Sequence, residues 1–143
     1  MTIARIIEGR SADGVIYCDA AMPMREAVRL LAERRIGALP VMRGGSVVGI
    51  FSERDVIYRL AEEGEICLDR ELAEVMTAPP ITVAPQATID EALGLMTRRR
   101  IRHLPVVDGS AMVAFISIGD LVKHRIDQVE HEAEAMRSYI TGA

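Results

Sequence analysis

The sequence holds no tryptophan, two phenylalanines and three tyrosines in 143 residues. It therefore lacks the aromatic platforms on which single-stranded nucleic-acid binders stack bases. Cysteine is nearly absent too: Cys18 and Cys67 sit in no CxxC spacing, so both are expected to be reduced thiols rather than part of a disulfide framework. No apolar run approaches the roughly 20 residues that cross a bilayer. Met1-Thr2-Ile3-Ala4-Arg5 lacks the apolar stretch of a signal peptide, and a soluble cytoplasmic protein is expected. Positive charge is in the minority, with 17 Lys+Arg against 21 Asp+Glu and a net charge of −4. That balance gives no overall attraction to nucleic acid or an anionic membrane, so any anion site must be local. Signatures of catalysis are also missing: there is no Walker-type loop, no HExxH, no Ser-His-Asp order and no Cys-His pair.

What is present is a duplication. Arg35-Ile36-Gly37-Ala38-Leu39-Pro40-Val41 returns as Arg100-Ile101-Arg102-His103-Leu104-Pro105-Val106, and Ser52 and Asp55 return as Ser117 and Asp120 in the same register. The register holds without a gap from Val15/Pro80 to Ile57/Val122. Such self-similarity defines the architecture before any motif is read. Half the residues are hydrophobic, and mean hydropathy is +0.18. The chain is long enough for one compact core built from two halves.

In the first copy, Val15-Ile16-Tyr17-Cys18 reads as a strand, and Met24 to Arg35 puts Ala27, Leu30 and Leu31 on one helical face. Leu39 to Met42 and Val47 to Phe51 form a hairpin about Gly44-Gly45. Ser52 then caps a helix running to about Glu63. The second copy repeats the order: Ile81-Thr82-Val83, a helix from Ile89 to Arg100, Leu104 to Val107, an Asp108-Gly109 turn, Met112 to Ile116, and a helix from about Gly119. The expected organisation is a first repeat with its N-terminal segment over 1–66, a linker with a short helix over 67–80, a second repeat over 81–123 and a C-terminal helix over 124–143. A single β-α-β-β-α unit cannot cover both faces of its sheet. The fold class expected is thus α/β, two such repeats packed sheet to sheet about a pseudo-twofold axis, with two related clefts between them.

The doubled Leu-Pro-Val segment, the hairpin and Gly49-Ile50-Phe51-Ser52-Glu53-Arg54-Asp55 resemble a tandem pair of cystathionine-β-synthase-type (CBS) domains, the regulatory Bateman module. The last stretch is similar to that family's nucleotide pattern, Gly-x-x-Ser/Thr-x-x-Asp. The resemblance implies adenosine-type ligands in the clefts (AMP, ADP or ATP, alternatively S-adenosylmethionine or NAD), no catalysis, and a homodimer. The chemistry is sensible independently. A helix N-terminus welcomes phosphate, which suits Ser52 and Ser117. Asp55 and Asp120, one turn inside, are placed to accept hydrogen bonds from vicinal ribose hydroxyls, each worth about 1.5–3 kcal/mol. The same Ser and Asp also spell an ordinary helix cap.

The copies differ at Gly37-Ala38 against Arg102-His103 and at Arg54 against Gly119. By the family pattern, one site is expected to join Arg102, His103, Ser117 and Asp120, completed by Gly37, Val15 and Ile16. The other is expected to join Ser52, Arg54 and Asp55 with Thr77, Ile81 and Thr82. Arg54 is the natural phosphate partner there, so the sites should not bind equivalently. Arg98-Arg99-Arg100 reads as charge complementing a helix C-terminus; if active, it would extend the anion pocket begun by Arg102. Gly49 becomes Ala114, adding a methyl where backbone comes close to ligand or a neighbouring strand.

From Val122, apolar residues fall at Ile126, Val129, Ala133, Met136 and Ile140, a heptad-like seam on an otherwise polar helix. The seam either packs on its own domain or pairs with a second subunit or a client protein. His124 and His131 lie two turns apart on this helix without a third ligand, so no metal is expected. The functional expectation is an adenine-nucleotide-sensing regulatory module. The alternative is a structural or adaptor dimer working through its C-terminal helix.

Overall fold

A computed structural model describes residues 1–142; Ala143, at the end of the expected C-terminal helix, lies outside the described residues. The elements in chain order are α1 (Ile3–Ile6), β1 (Cys18–Asp19), α2 (Met24–Arg34), β2 (Ala38–Arg43), β3 (Ser46–Ser52), α3 (Glu53–Glu63), α4 (Leu72–Val75), α5 (Ile89–Arg99), β4 (His103–Asp108), β5 (Ala111–Ser117) and α6 (Ile118–Thr141). Short 3₁₀ turns cover Ala12–Gly14 and Gly64–Asp69. Corresponding helices and hairpins begin at equivalent positions of the two copies. The β2–β3 and β4–β5 hairpins even share an irregularity in register, at Val41/Met42 and Val106/Val107.

Both α2 and α5 end on an arginine in left-handed backbone, Arg35 at φ 53° and Arg100 at φ 55°. This conformation turns the chain sharply into the following strand and ordinarily favours glycine. The hairpin turn at Gly44-Gly45 has φ of 58° and 81°, which glycine adopts at no steric cost.

The strands expected at the head of each repeat are shorter than the hydrophobic pattern suggests. In the first, only Cys18–Asp19 pairs with β2, in parallel, while Val15 to Tyr17 stand outside the ladder. In the second, Ile81-Thr82-Val83 is reduced to one parallel bridge between Val83 and Val106. The second ladder is the shorter of the two because it lacks a donor at its C-terminal end. Ala20 N donates to Met42 O at 2.9 Å in the first repeat, whereas the equivalent residue in the second is Pro85, which has no N–H.

Each repeat has its own apolar cluster. Met24, Ala27, Leu39, Val41 and Phe51 centre the first, and Ile89, Met96, Leu104, Ile116 and Leu121 the second. The segments that precede the repeats are exchanged between them. Ile3 of α1 is fully buried in the second cluster, with Ile3 N on Ala87 O and Ala4 N on Pro85 O, both at 2.8 Å. Leu72 and Val75 of α4 complete the first cluster. Beyond α4 the linker adds itself to the edge of β3, where Ile50 N donates to Thr77 O and Thr77 N to Ile50 O, both at 2.9 Å.

That edge contact explains the Gly49/Ala114 difference. A Cβ on Gly49 would lie 2.4 Å from Met76 Sδ and 2.9 Å from the Thr77 carbonyl oxygen. The close neighbour is therefore the linker strand. No such strand bridges β5 among the described residues, and Ala114 is simply buried there.

Candidate functional site

Ser52 and Ser117 end the second strand of each hairpin and cap α3 and α6. Each forms a reciprocal capping box: Ser52 Oγ accepts from Asp55 N at 3.4 Å while Asp55 Oδ2 accepts from Ser52 N at 2.9 Å. Ser117 Oγ accepts from Asp120 N at 3.1 Å and Asp120 Oδ2 accepts from Ser117 N at 2.9 Å. The capping role is thus real in both copies. It occupies one carboxylate oxygen. The other oxygen meets a segment lying across the cleft: Asp55 Oδ1 accepts from Thr77 Oγ1 at 2.9 Å, and Asp120 Oδ1 faces Arg10 Nη2 at 3.3 Å.

Around Asp55 lies a cavity of about 320 Å³. Ile50, Pro80 and Ile81 form its apolar side, Ser52, Asp55 and Thr77 its polar end, and Arg54, Arg99, Arg100 and Arg102 a basic rim. Around Asp120 lies a cavity of about 470 Å³ with Val15, Ile16, Ala114 and Phe115 on its apolar side and Ser117 and Arg10 beside the carboxylate. Both volumes fall within the range of small-molecule sites, roughly 300–1,000 Å³.

His103 lies between the two cavities and lines both. Its ring stacks on Phe115 with centroids 5.4 Å apart. Burial, and then the neighbouring Arg102 charge, hold its pKa below the usual imidazole value, with Asp120 and Glu53 opposing more weakly.

Gly37, Arg102 and His103 line the Ser52 cavity, and together with Ser117 they also line a third cavity of about 640 Å³. Gly37 is held there because Glu53 N donates to Gly37 O at 3.0 Å, which ties the start of β2 to the start of α3. Arg102 is held at the start of α3 by charge: its Nη2 lies 3.1 Å from Glu53 Oε1, whereas the residue at the equivalent position in the second repeat is Ile118. Thr82 stands outside the lining of either cavity. Arg54, the expected phosphate partner, donates through Nη1 to the Arg100 carbonyl at 2.9 Å and so caps α5 across the cleft. Val15, Ile16, Thr77 and Ile81 line the clefts to which they were assigned.

Arg10 was not foreseen. It lies ahead of the repeated register, and only the exchange of N-terminal segments brings it to Asp120. Among the described residues there is no cluster of three or more His, Cys, Asp or Glu suited to a metal ion, and no helix is long and apolar enough to cross a membrane. Cys18 is buried, and burial, with a smaller push from Glu26, raises its thiol to about 11, which keeps it inert.

Two interlocked β-α-β-β-α repeats with paired clefts find their match in the CBS domain, whose family model fits residues 11–62 and 72–127. The chain belongs to the CBS-domain family. One CBS relative, the mitochondrial CBS domain-containing protein CBSX3 of Arabidopsis thaliana, is 32% identical over 141 residues, which cover 94% of this chain and 68% of the relative. A structure of a putative signal-transduction protein with CBS domains from Burkholderia ambifaria superposes with a TM-score of 0.80 at 36% identity, over 89% of this chain and 95% of the other. Two CBS structures share the fold at 22% identity, each over 90% of this chain and 98% of the other. They are CBSX2 in complex with AMP (TM-score 0.76) and the CBS pair of MJ0100 with 5-methylthioadenosine and S-adenosyl-L-methionine (TM-score 0.75).

Proposed function

We propose that this CBS pair is a regulatory module whose clefts hold adenosine-type ligands, with AMP, ADP or ATP in the Ser52 cleft, and that it performs no reaction of its own. The observation that carries the reading is the recurrence, in both clefts, of a carboxylate one turn inside a helix N-terminus beside an apolar slot. An adenine ring suits Ile50 and Ile81 in one cleft and Ile16 and Phe115 in the other. Asp55 and Asp120 would exchange their partners Thr77 and Arg10 for ribose hydroxyls. The ligands named for CBSX2 and MJ0100 belong to the same adenosine class. Because each cleft is walled by both repeats, occupancy favours one relative arrangement over another, and only such unequal affinity transmits a signal.

The test is calorimetry with AMP, ADP, ATP, S-adenosylmethionine and NAD. Binding of at least one, weakened tenfold or more by Asp55→Ala or Asp120→Ala in a folded protein, supports the reading. Absence of heat and of thermal shift with all five rejects it.

A second reading, an adaptor dimer, draws on α6. Ile126, Val129, Met136 and Ile140 of its seam are 51%, 55%, 59% and 74% exposed, so the seam does not pack on its own domain. That reading expects self-association or client binding insensitive to every adenosine compound.

A further inference from the structure

We infer that the two clefts divide the ligand by phosphate number: the Ser52 cleft takes a nucleoside polyphosphate, and the Ser117 cleft a nucleoside with one phosphate or none. This rests on the adenosine-ligand reading above and adds to it a specificity set by named arginines.

The asymmetry lies in the linings. Arg54, Arg99, Arg100 and Arg102 surround the first cavity against Glu53 and Asp55. Arg10 alone faces Asp120 in the second. The cavity around Asp55 therefore carries a surplus of two positive charges and the cavity around Asp120 none, in a protein whose net charge is −4.

The surplus is also available. Asp55 is engaged by its helix cap and Thr77, and Glu53 by Arg102. Arg54 spends one nitrogen on the Arg100 carbonyl, leaving further N–H groups on its guanidinium. Arg99 and Arg100 make no ion pair among the described residues. The C-terminal end of α5 beside them offsets only about half a charge, so two full cations outweigh it. Guanidinium groups bind phosphate oxygens in pairs, and several at one rim match a chain of phosphates better than a single one.

The left-handed turn at Arg100 puts this charge on the cleft. It redirects the chain from α5 into β4, so that consecutive residues Arg99 to His103 all line the same cavity. With ribose at Asp55 and the first phosphate near the start of α3, further phosphates meet Arg99, Arg100 and Arg102.

Metal-free titrations of the full chain carrying Asp120→Ala, which removes the second cleft's carboxylate, test the assignment with adenosine, AMP, ADP and ATP. The expected order is ATP tightest, at least tenfold above AMP, with the preference shrinking as salt rises. Arg99→Gln with Arg100→Asn, the asparagine chosen because it tolerates left-handed backbone, is expected to bring ATP within threefold of AMP and leave AMP within twofold of its former value. Arg99→Lys, which keeps the charge, is expected to retain the preference. Equal binding of AMP and ATP, or an ATP preference that survives loss of both arginines, overturns the division while leaving the adenosine reading in place. Binding of none of the four overturns the division together with the assignment of AMP, ADP or ATP to the Ser52 cleft.

Discussion

Arg102 of the second repeat and Glu53 of the first form an ion pair, at 3.1 Å, across the cleft that both line. The two side chains are 64% and 59% exposed, so the pair contributes at most about 1 kcal/mol to the fold. Its consequence lies in binding: a phosphate entering the cleft competes with the Glu53 carboxylate for Arg102. Glu53→Gln is expected to leave the melting temperature nearly unchanged and to tighten ADP two- to fivefold, as calorimetry would measure. Weaker ADP binding would show that Glu53 assists the ligand.

Gly49 permits the linker to lie along β3. Gly49→Ala forces a methyl onto the Met76 side chain and the Thr77 carbonyl, at a cost of about 1–3 kcal/mol. Chemical denaturation measures that loss. Because Thr77 lines the first cleft, ligand affinity there is expected to fall as well, whereas a pure stability loss would leave it unchanged.

His103 is neutral in the folded protein at pH 7, its pKa lowered first by burial and then by Arg102. A group with a depressed folded pKa contributes stability that is complete above its unfolded value, about 6.5, and is lost as pH falls through the folded one. A bound phosphate favours the imidazolium, so nucleotide binding is expected to take up protons in the same acidic window. Calorimetry in buffers of different ionisation enthalpy detects the uptake. His103→Phe keeps a ring against Phe115 and is expected to abolish it; uptake undiminished in that variant would assign the proton elsewhere.

Every described residue from Val129 onward is exposed. Truncation after Gln128 is therefore expected to leave unfolding by denaturant within about 0.5 kcal/mol of the full chain, as for surface changes generally. Light scattering then decides what the seam does. A dimer in the full chain that becomes a monomer on truncation assigns it to self-association, and an unchanged mass assigns it elsewhere.

Much of this organisation was legible in the sequence, because repetition checks each element against its copy. Helices α2 and α5, both hairpins, and the Ser-Asp caps follow from periodicity and turn chemistry that recur 65 residues apart, as Ser52 and Ser117 do. The heads of the repeats were less legible. Apolar Ile81 and Val83 resemble a strand, but Pro85 withholds the donor that would extend the ladder. The clefts were legible in their carboxylates and less so in their cations. Arg102 pairs with Glu53, which has no acidic counterpart at Ile118, so the partner of this cation could not be read from the repeat. Arg10 and the exchanged segments depend on contacts between residues far apart in sequence, which no local pattern encodes. Arg99 and Arg100 read as helix-end charge because their approach to the cleft follows from the left-handed turn, a conformation that favours glycine.

The exchange of leading segments bears on how the molecule comes apart. Since α1 fills the core of the second repeat and α4 that of the first, neither repeat contains all of its own interior. Cutting the chain between them would open both cores to water and leave each half short of apolar contacts the other supplies. The pair is thus one cooperative unit in spite of its two centres. The linker strand that walls the Ser52 cleft continues directly from α4 inside the first core, which makes the clefts part of the same cooperativity as the fold.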